Sequence, residues 1–258
     1  VALSDNLVSY WSLDEASGNA LDAHGSNNLT EINTVGTATG RVGNARGTFS
    51  SSSGRFVASS SSVVQIGDAD ATLAGWVRVN SDASPYGVLG KYVTSGNQRS
   101  FRILAGSNGF RFTFTFQVSS DGTSSTLTGL DWSGTASTGV WYFIVCRHDA
   151  AANQISLSVN GGTPATASHS GGLFASSSVF ELGRNGSSGN LNGLLDEWGY
   201  WSRLLTADEI TELYNSGSGM SYADITGGGG GGAASRLTKY AQNIPYMHGN
   251  NRFIRIGR

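Results

Sequence analysis

The chain has 258 residues, enough for one large β domain or two small ones with a proper core. Charged residues make up only 13%, against about 25% in an average soluble domain, while aromatics reach 10%; this excludes a charged disordered chain, a helical bundle and a coiled coil. The net charge of −2 gives no global electrostatic reason to bind nucleic acid or an anionic membrane, yet residues 233–258 carry +5 without a carboxylate, which leaves −7 for the rest.

Thirty-seven glycines and 38 serines favour many short strands joined by turns. The lone Cys146 excludes an internal disulfide and a multi-cysteine zinc site. No apolar run approaches the roughly 18 residues of a membrane span, so membrane insertion is not expected. The chain opens on Val1 with no leader-like segment, as a processed or partial chain does.

In chain order, Leu7–Leu13 reads as an aromatic-rich strand, followed by a polar loop over Asp14–Asn28. Gly40–Phe49 and Gly54–Val57 read as two strands around the serine turn Ser50–Ser53. Ala71–Val79 is a strand with Thr72, Ala74, Trp76 and Arg78 on one face and Leu73, Gly75, Val77 and Val79 on the other. Strands follow at Tyr86–Tyr92, Arg99–Ala105 and Gly109–Val118, where Phe110, Phe112, Phe114 and Phe116 alternate onto one face. Val140–Arg147, Gln154–Val159 (closed by the hairpin signal Asn160-Gly161), Val179–Gly183 and Gly193–Trp201 complete the set. One helix is predicted over Thr206–Asn215, with Thr206 and Glu209 as a capping box and Gly217 just beyond the end. The pattern gives an all-β, two-sheet sandwich over residues 1–225, a glycine tether over 226–232 and a basic, apolar tail over 233–258.

Several phrases together resemble the laminin-G-like, concanavalin A-like jelly-roll superfamily, in the single-domain form found in secreted bacterial proteins and in phage and metagenomic structural proteins. They are Leu7-Val-Ser-Tyr-Trp-Ser-Leu-Asp-Glu-Ala-Ser-Gly18, Asp22-Ala-His-Gly-Ser-Asn-Asn28, Gly40-Arg-Val-Gly-Asn-Ala45, Leu73-Ala-Gly-Trp-Val77, Trp141-Tyr-Phe-Ile-Val145, Leu195-Asp-Glu-Trp-Gly-Tyr-Trp201 and Leu204–Asn215. Their order and spacing cover about 220 residues; the tail lies outside. The resemblance implies two antiparallel sheets packed face to face. It also implies a structural calcium ion held by Asp22, the Asn27/Asn28 stretch and Asp196, a set of hard oxygen donors that suits calcium. By their residue types alone, Asp22 equally suits a turn cap and Asp196 an arginine partner.

Catalysis finds little support. The Glu-x-Asp-x-x-Glu strand of related glucanases is absent, and Asp14-Glu15 and Asp196-Glu197 are adjacent pairs whose side chains would leave a strand on opposite faces. Cys146 and His148 share a strand face but lack a third group. Of the six tryptophans, Trp132 in a polar loop is the candidate for stacking on a sugar; the other five sit in apolar strand patterns. In the tail, Arg236, Tyr246, Arg252, Phe253 and Arg255 mix charge with apolar bulk, as in a segment that docks on neighbouring protein chains. The expectation is a non-enzymatic structural or adhesion module of a virus particle or surface assembly, extracellular or on the virion, displaying a lectin-like domain. The alternative is a secreted, calcium-dependent carbohydrate-binding lectin module whose partners are glycans.

Overall fold

Apolar alternation, carried by strand after strand, settles which faces pair. The computed structural model describes residues 1–47, 54–82, 85–107, 109, 111–186 and 189–227. Phe110, the Ser50–Ser53 turn, residues 228–232 of the tether and the whole tail, with Arg236, Tyr246, Arg252, Phe253 and Arg255, lie outside the described residues.

In chain order the strands are β1 (Leu7–Trp11), β2 (Leu29–Ile32), β3 (Gly36–Thr39), β4 (Asn44–Gly47), β5 (Arg55–Ala58), β6 (Ala71–Val79), β7 (Tyr86–Val93) and β8 (Gln98–Ser107). They continue as β9 (Phe112–Val118), β10 (Thr128–Asp131), β11 (Trp141–Asp149), β12 (Gln154–Val159), β13 (Ala165–Ser168), β14 (Glu181–Leu182), β15 (Gly189–Asn190) and β16 (Gly193–Trp201). The first sheet runs β13-β12-β11-β6-β16-β4-β3, with β1 also on β16; the second runs β10-β9-β8-β7-β14-β5-β2, with β15 on β7. All pairings are antiparallel except the short β15–β7 contact. This is the jelly-roll sandwich expected from the sequence.

The main core lies between the sheets. Leu73, Val77 and Val79 point into it, as do Phe112, Phe114 and Phe116. Ala74 and Trp76 leave β6 on the opposite face, where they join Leu3, Leu7, Tyr10, Phe143 and Trp201 in a second apolar cluster. That cluster is roofed by α1 (Ala207–Tyr214) and a single-turn helix, α2 (Tyr222–Thr226), through Ile210, Leu213 and Ile225. Thr206 and Glu209 form the reciprocal capping box at the start of α1, and Asn215, at φ 45°, ends it in the left-handed region. α2 carries its own capping box, Ser221 with Asp224, which the sequence reading missed because the helix is one turn long.

Of the two strands predicted around the serine turn, β4 joins the first sheet and β5 the second. One expectation changes. Asp196 and Glu197 do not alternate, because the register of β16 slips between Asp196 and Gly199 and Glu197 takes a left-handed φ of 51°. That bulge is an irregularity which re-aims side chains, and both carboxyls end up buried.

Candidate functional site

The phrases that carry the family resemblance meet in space. The Asp22 carboxylate closes the loop that follows β1: its Oδ1 accepts N–H bonds from Tyr10 at 2.9 Å, His24 at 3.1 Å and Gly25 at 2.9 Å, and its Oδ2 accepts one from Asn27 at 3.0 Å. The Asn28 carboxamide oxygen accepts from the Asp22 N–H at 2.8 Å, and the Asn27 carbonyl accepts from Trp11 Nε1 at 2.9 Å. His24, exposed, pairs its Nδ1 with the Tyr222 hydroxyl at 3.1 Å.

Asp196 organises a different turn. Its Oδ2 accepts from the Arg41 and Val42 N–H groups at 2.6 and 2.9 Å, while Asp14 Oδ1 accepts from Asn44 N–H at 2.7 Å. Glycine is required at position 40, where a Cβ would stand 2.6 Å from Asp196 Oδ2 and 2.4 Å from the Asn44 carbonyl. The two carboxylates thus bind separate loops and share no partner. Asp22, Asn27 and Asn28 have turned their oxygens onto N–H donors, groups that repel a cation. Asp196 Oδ1 is the member of the set that is buried without a partner. Among the described residues no group of three or more His, Cys, Asp or Glu is placed to hold a metal ion. As arranged, these residues do not fit one calcium centre.

Beside Asp196, Glu197 is 4% exposed, and its carboxyl lies near the Tyr10 hydroxyl without a hydrogen bond of ordinary geometry, that hydroxyl being directed to the Met220 carbonyl at 3.5 Å. Burial pushes its carboxyl up to about 9, with the charges of Asp196, Asp14 and Asp224 adding and the nearby Tyr10 hydroxyl opposing. Burial likewise pushes Asp196 up to about 7, against the pull of the Val42 and Arg41 N–H groups. The cavity next to Glu197, lined also by Tyr10, Trp76, Phe143, Trp201 and Met220, measures only about 10 Å³, room for one water at most. A sugar cannot reach this acid pair.

Cys146 is buried in the main core, where burial pushes its thiol up, and His148 Nδ1 donates to the Ala69 carbonyl at 2.8 Å. Neither group is set up as a nucleophile or its base. Trp132 is half-buried, its ring packed on Phe114 and Tyr142 at centroid distances of 6.1 and 5.9 Å.

The feature sequence reasoning missed lies on the outer face of the second sheet. A groove of about 260 Å³ is lined by Pro85, Leu104, Gly106, Ser107, Thr115, Gln117 and Asp131. Register explains it. While Ile103, Ala105, Phe114 and Phe116 fill the core, Leu104 stands opposite Thr115, and Thr115 opposite Asp131, so one rung crosses β8, β9 and β10. Thr115 Oγ1 donates to Asp131 Oδ1 at 2.5 Å. On the next rung Arg102 faces Gln117; its Nε donates to Gln117 Oε1 at 2.8 Å, and its guanidinium lies 3.9 Å from the Tyr92 ring centroid. Polar residues on the face of β9 opposite the phenylalanines were the available signal, but only strand register assembles them.

Comparison with known proteins places these features. A family model described as the concanavalin A-like lectin/glucanases superfamily, of laminin-G type, matches residues 50–211. No curated protein matches the chain. Among solved structures, the chain is similar to the binding domain of Paraclostridial Mosquitocidal Protein 1, with TM-score 0.66 and 17% identity over 83% of this chain and 53% of that one. It is also similar to domain 4 of AbnA, an extracellular arabinanase from Geobacillus stearothermophilus, in complex with arabinotriose (TM-score 0.59, 16% identity, 80% of this chain and 97% of that one). A third likeness is to botulinum neurotoxin type C, whose cell entry is described as dependent on interaction with two ganglioside molecules (TM-score 0.60, 14% identity, 83% and 52%). The chain spans about half the length of the solved toxin domains it matches. At these identities the likeness speaks for the fold. No helix among the described residues is long and apolar enough to cross a membrane.

Proposed function

Because the chain belongs to the concanavalin A-like lectin/glucanases superfamily, we propose that it is a non-enzymatic carbohydrate-binding module whose ligand lies in the groove on the outer face of the second sheet. The observation that carries this is the rung Leu104–Thr115–Asp131 with Gln117 and Ser107 beside it. An apolar floor next to hydroxyl, amide and carboxylate groups suits a sugar ring, which presents a C–H face and a rim of hydroxyls. The arabinotriose bound to the similar arabinanase domain, and the ganglioside interaction on which cell entry of botulinum neurotoxin type C depends, support a sugar-binding role. The absence of catalysis is supported by the sealed acid pair, which has no room for a substrate.

The proposal extends to display on a virus particle or surface assembly, held by residues 233–258. Its support is compositional: Arg236, Lys239, Arg252, Arg255 and Arg258 with no carboxylate, beyond a run of six glycines. Glycan-array and calorimetric binding by the full chain tests the ligand role, with Thr115→Trp as the groove-filling variant. Binding by the wild type that Thr115→Trp abolishes is expected. Absence of glycan binding by the wild type refutes the function, and wild-type binding retained by Thr115→Trp refutes the site.

A further inference from the structure

Two buried histidines stand where the β13 edge of the first sheet meets the β10 edge of the second. His148 lies on β11 and His169 just after β13, and their rings are 6.3 Å apart, edge to face. Carbonyls fix both tautomers, since a carbonyl only accepts. His169 Nε2 therefore donates to the Gly172 carbonyl at 2.9 Å, and its bare Nδ1 accepts from the Thr128 hydroxyl at 2.9 Å. His148 Nδ1 donates to the Ala69 carbonyl, and its Nε2 is buried without a hydrogen-bond partner. Both rings are thus built in as neutral. Burial pulls His169 below its ordinary value of 6.5; the Gly172 bond opposes, His148 adds and Asp68 opposes. Asp70, beside Ala69, accepts from the Ala150 N–H, and Asp121, beside the Ser120 that meets Gly171, accepts from the Thr123 and Thr126 hydroxyls. Arg147 and Asp149 leave β11 on the face opposite His148.

Thr128 opens β10, the edge strand that supplies Asp131 to the groove and whose sheet partner is β9. The Thr128–His169 bond ties that wall of the groove to the other sheet. Resting on the groove as the ligand site, we propose that this bond is an acid-sensitive latch: a proton on His169 frees β10 and releases a bound glycan. A proton on Nδ1 turns the acceptor of the latch into a second donor, facing a hydroxyl already oriented as a donor. It also leaves a buried cation next to a second imidazole. Moving β10 outward hydrates that cation and draws Asp131 away from Thr115, its partner in the groove. With its folded value below the unfolded one, His169 contributes stability that is complete above about pH 6.5 and is lost as pH falls. At about pH 5 a histidine of ordinary value is protonated roughly thirtyfold over neutral, which is the ceiling on how far the latched state can lose ground to the open one.

Hydrogen exchange of the full chain at about pH 7.5 and about pH 5, corrected for intrinsic exchange rates, reads the latch without any ligand. The β10 amides are expected to lose protection by roughly three- to thirtyfold at the lower pH, while those of β6, central in the first sheet, keep theirs. A glycan array and calorimetry at the same two pH values read the release: affinity should fall severalfold, and by at most roughly thirtyfold. His169→Gln, which forms hydrogen bonds but does not titrate, should flatten both responses. If circular dichroism shows that this variant does not fold, the contrast between β10 and β6 in the wild type decides. Equal β10 protection at both pH values, a loss in β6 as large as that in β10, or a folded His169→Gln that responds like the wild type overturns the latch and leaves the groove standing. Loosening of β10 with unchanged glycan affinity overturns the release. No glycan bound at either pH, or binding that Thr115→Trp leaves intact, overturns the groove reading itself, and the release falls with it.

Discussion

Replacing Asp22 by alanine separates a loop tie from a metal ligand. The carboxylate serves four backbone donors. The Tyr10 N–H belongs to a buried strand, and stranding it costs about 1–3 kcal/mol. His24 and Gly25 are exposed and Asn27 is half-buried, so water replaces much of what they lose, at about 0.5–1.5 kcal/mol each. The sum is about 2.5–7.5 kcal/mol, and at roughly 2–4 °C per kcal/mol for a domain of this size Tm should fall by about 5–30 °C. Asp22→Asn should be intermediate: it keeps an oxygen for the Oδ1 donors but turns an amide N–H toward the Asn27 N–H. Urea and thermal unfolding, each with calcium and with chelator, provide the assay. The wild-type midpoint is expected to be the same in both. A wild type that drops to the level of Asp22→Ala in chelator would refute the reasoning, because the stability would then come from a bound ion.

Two other predictions follow from burial. Gly75→Ala would set a Cβ 2.3 Å from Cδ2 of Trp198, a fully buried ring whose Nε1 donates to the Trp76 carbonyl at 3.1 Å. It should cost about 3 kcal/mol by overpacking, read as a lower urea midpoint; a loss below about 1 kcal/mol would show that the ring can move aside. Asp196 and Glu197 hold protons in the fold that the unfolded chain has lost above its ordinary carboxyl values of 3.8 and 4.5. Their contribution is therefore fully present below about pH 4 and is lost as pH rises through about 7 and then about 9. Glu197→Gln should flatten the alkaline part of the stability curve relative to wild type; parallel curves between pH 6 and pH 10, on the order of experimental error, would contradict the burial argument.

The long elements were legible because burial alone dictates them. Ala71–Val79, Gln154–Val159 and Gly193–Trp201 fall at their expected bounds, and the split of β6 into core and outer faces follows its alternation. The short polar strands Gly36–Thr39, Thr128–Asp131 and Ala165–Ser168 were not, since each gains its place from a partner's register. The same limit hid the groove: Leu104, Thr115 and Asp131 are far apart in sequence and become one rung only when three strands align. Asp22 and Asp196 were found by resemblance, but the sequence could not say that their oxygens face backbone donors. Nor could it show that a bulge at Glu197 would bury two neighbouring acids on β16.

The roof over the first sheet gives the domain a front and a back. The Leu3 carbonyl receives Trp201 Nε1 at 2.7 Å, the Arg203 guanidinium reaches the Ala2 carbonyl at 3.1 Å, and Ile225 is sealed into the same apolar cluster. Both ends of the described domain are thus fastened to the outer face of one sheet, while the groove opens on the outer face of the other. Ala2 and Ile225 thus lie at the back of the domain, on the face away from the groove. Tension drawn through those ends would load β1, β16 and the helical roof first, so a neighbour could pull on the domain without distorting the surface that meets a ligand.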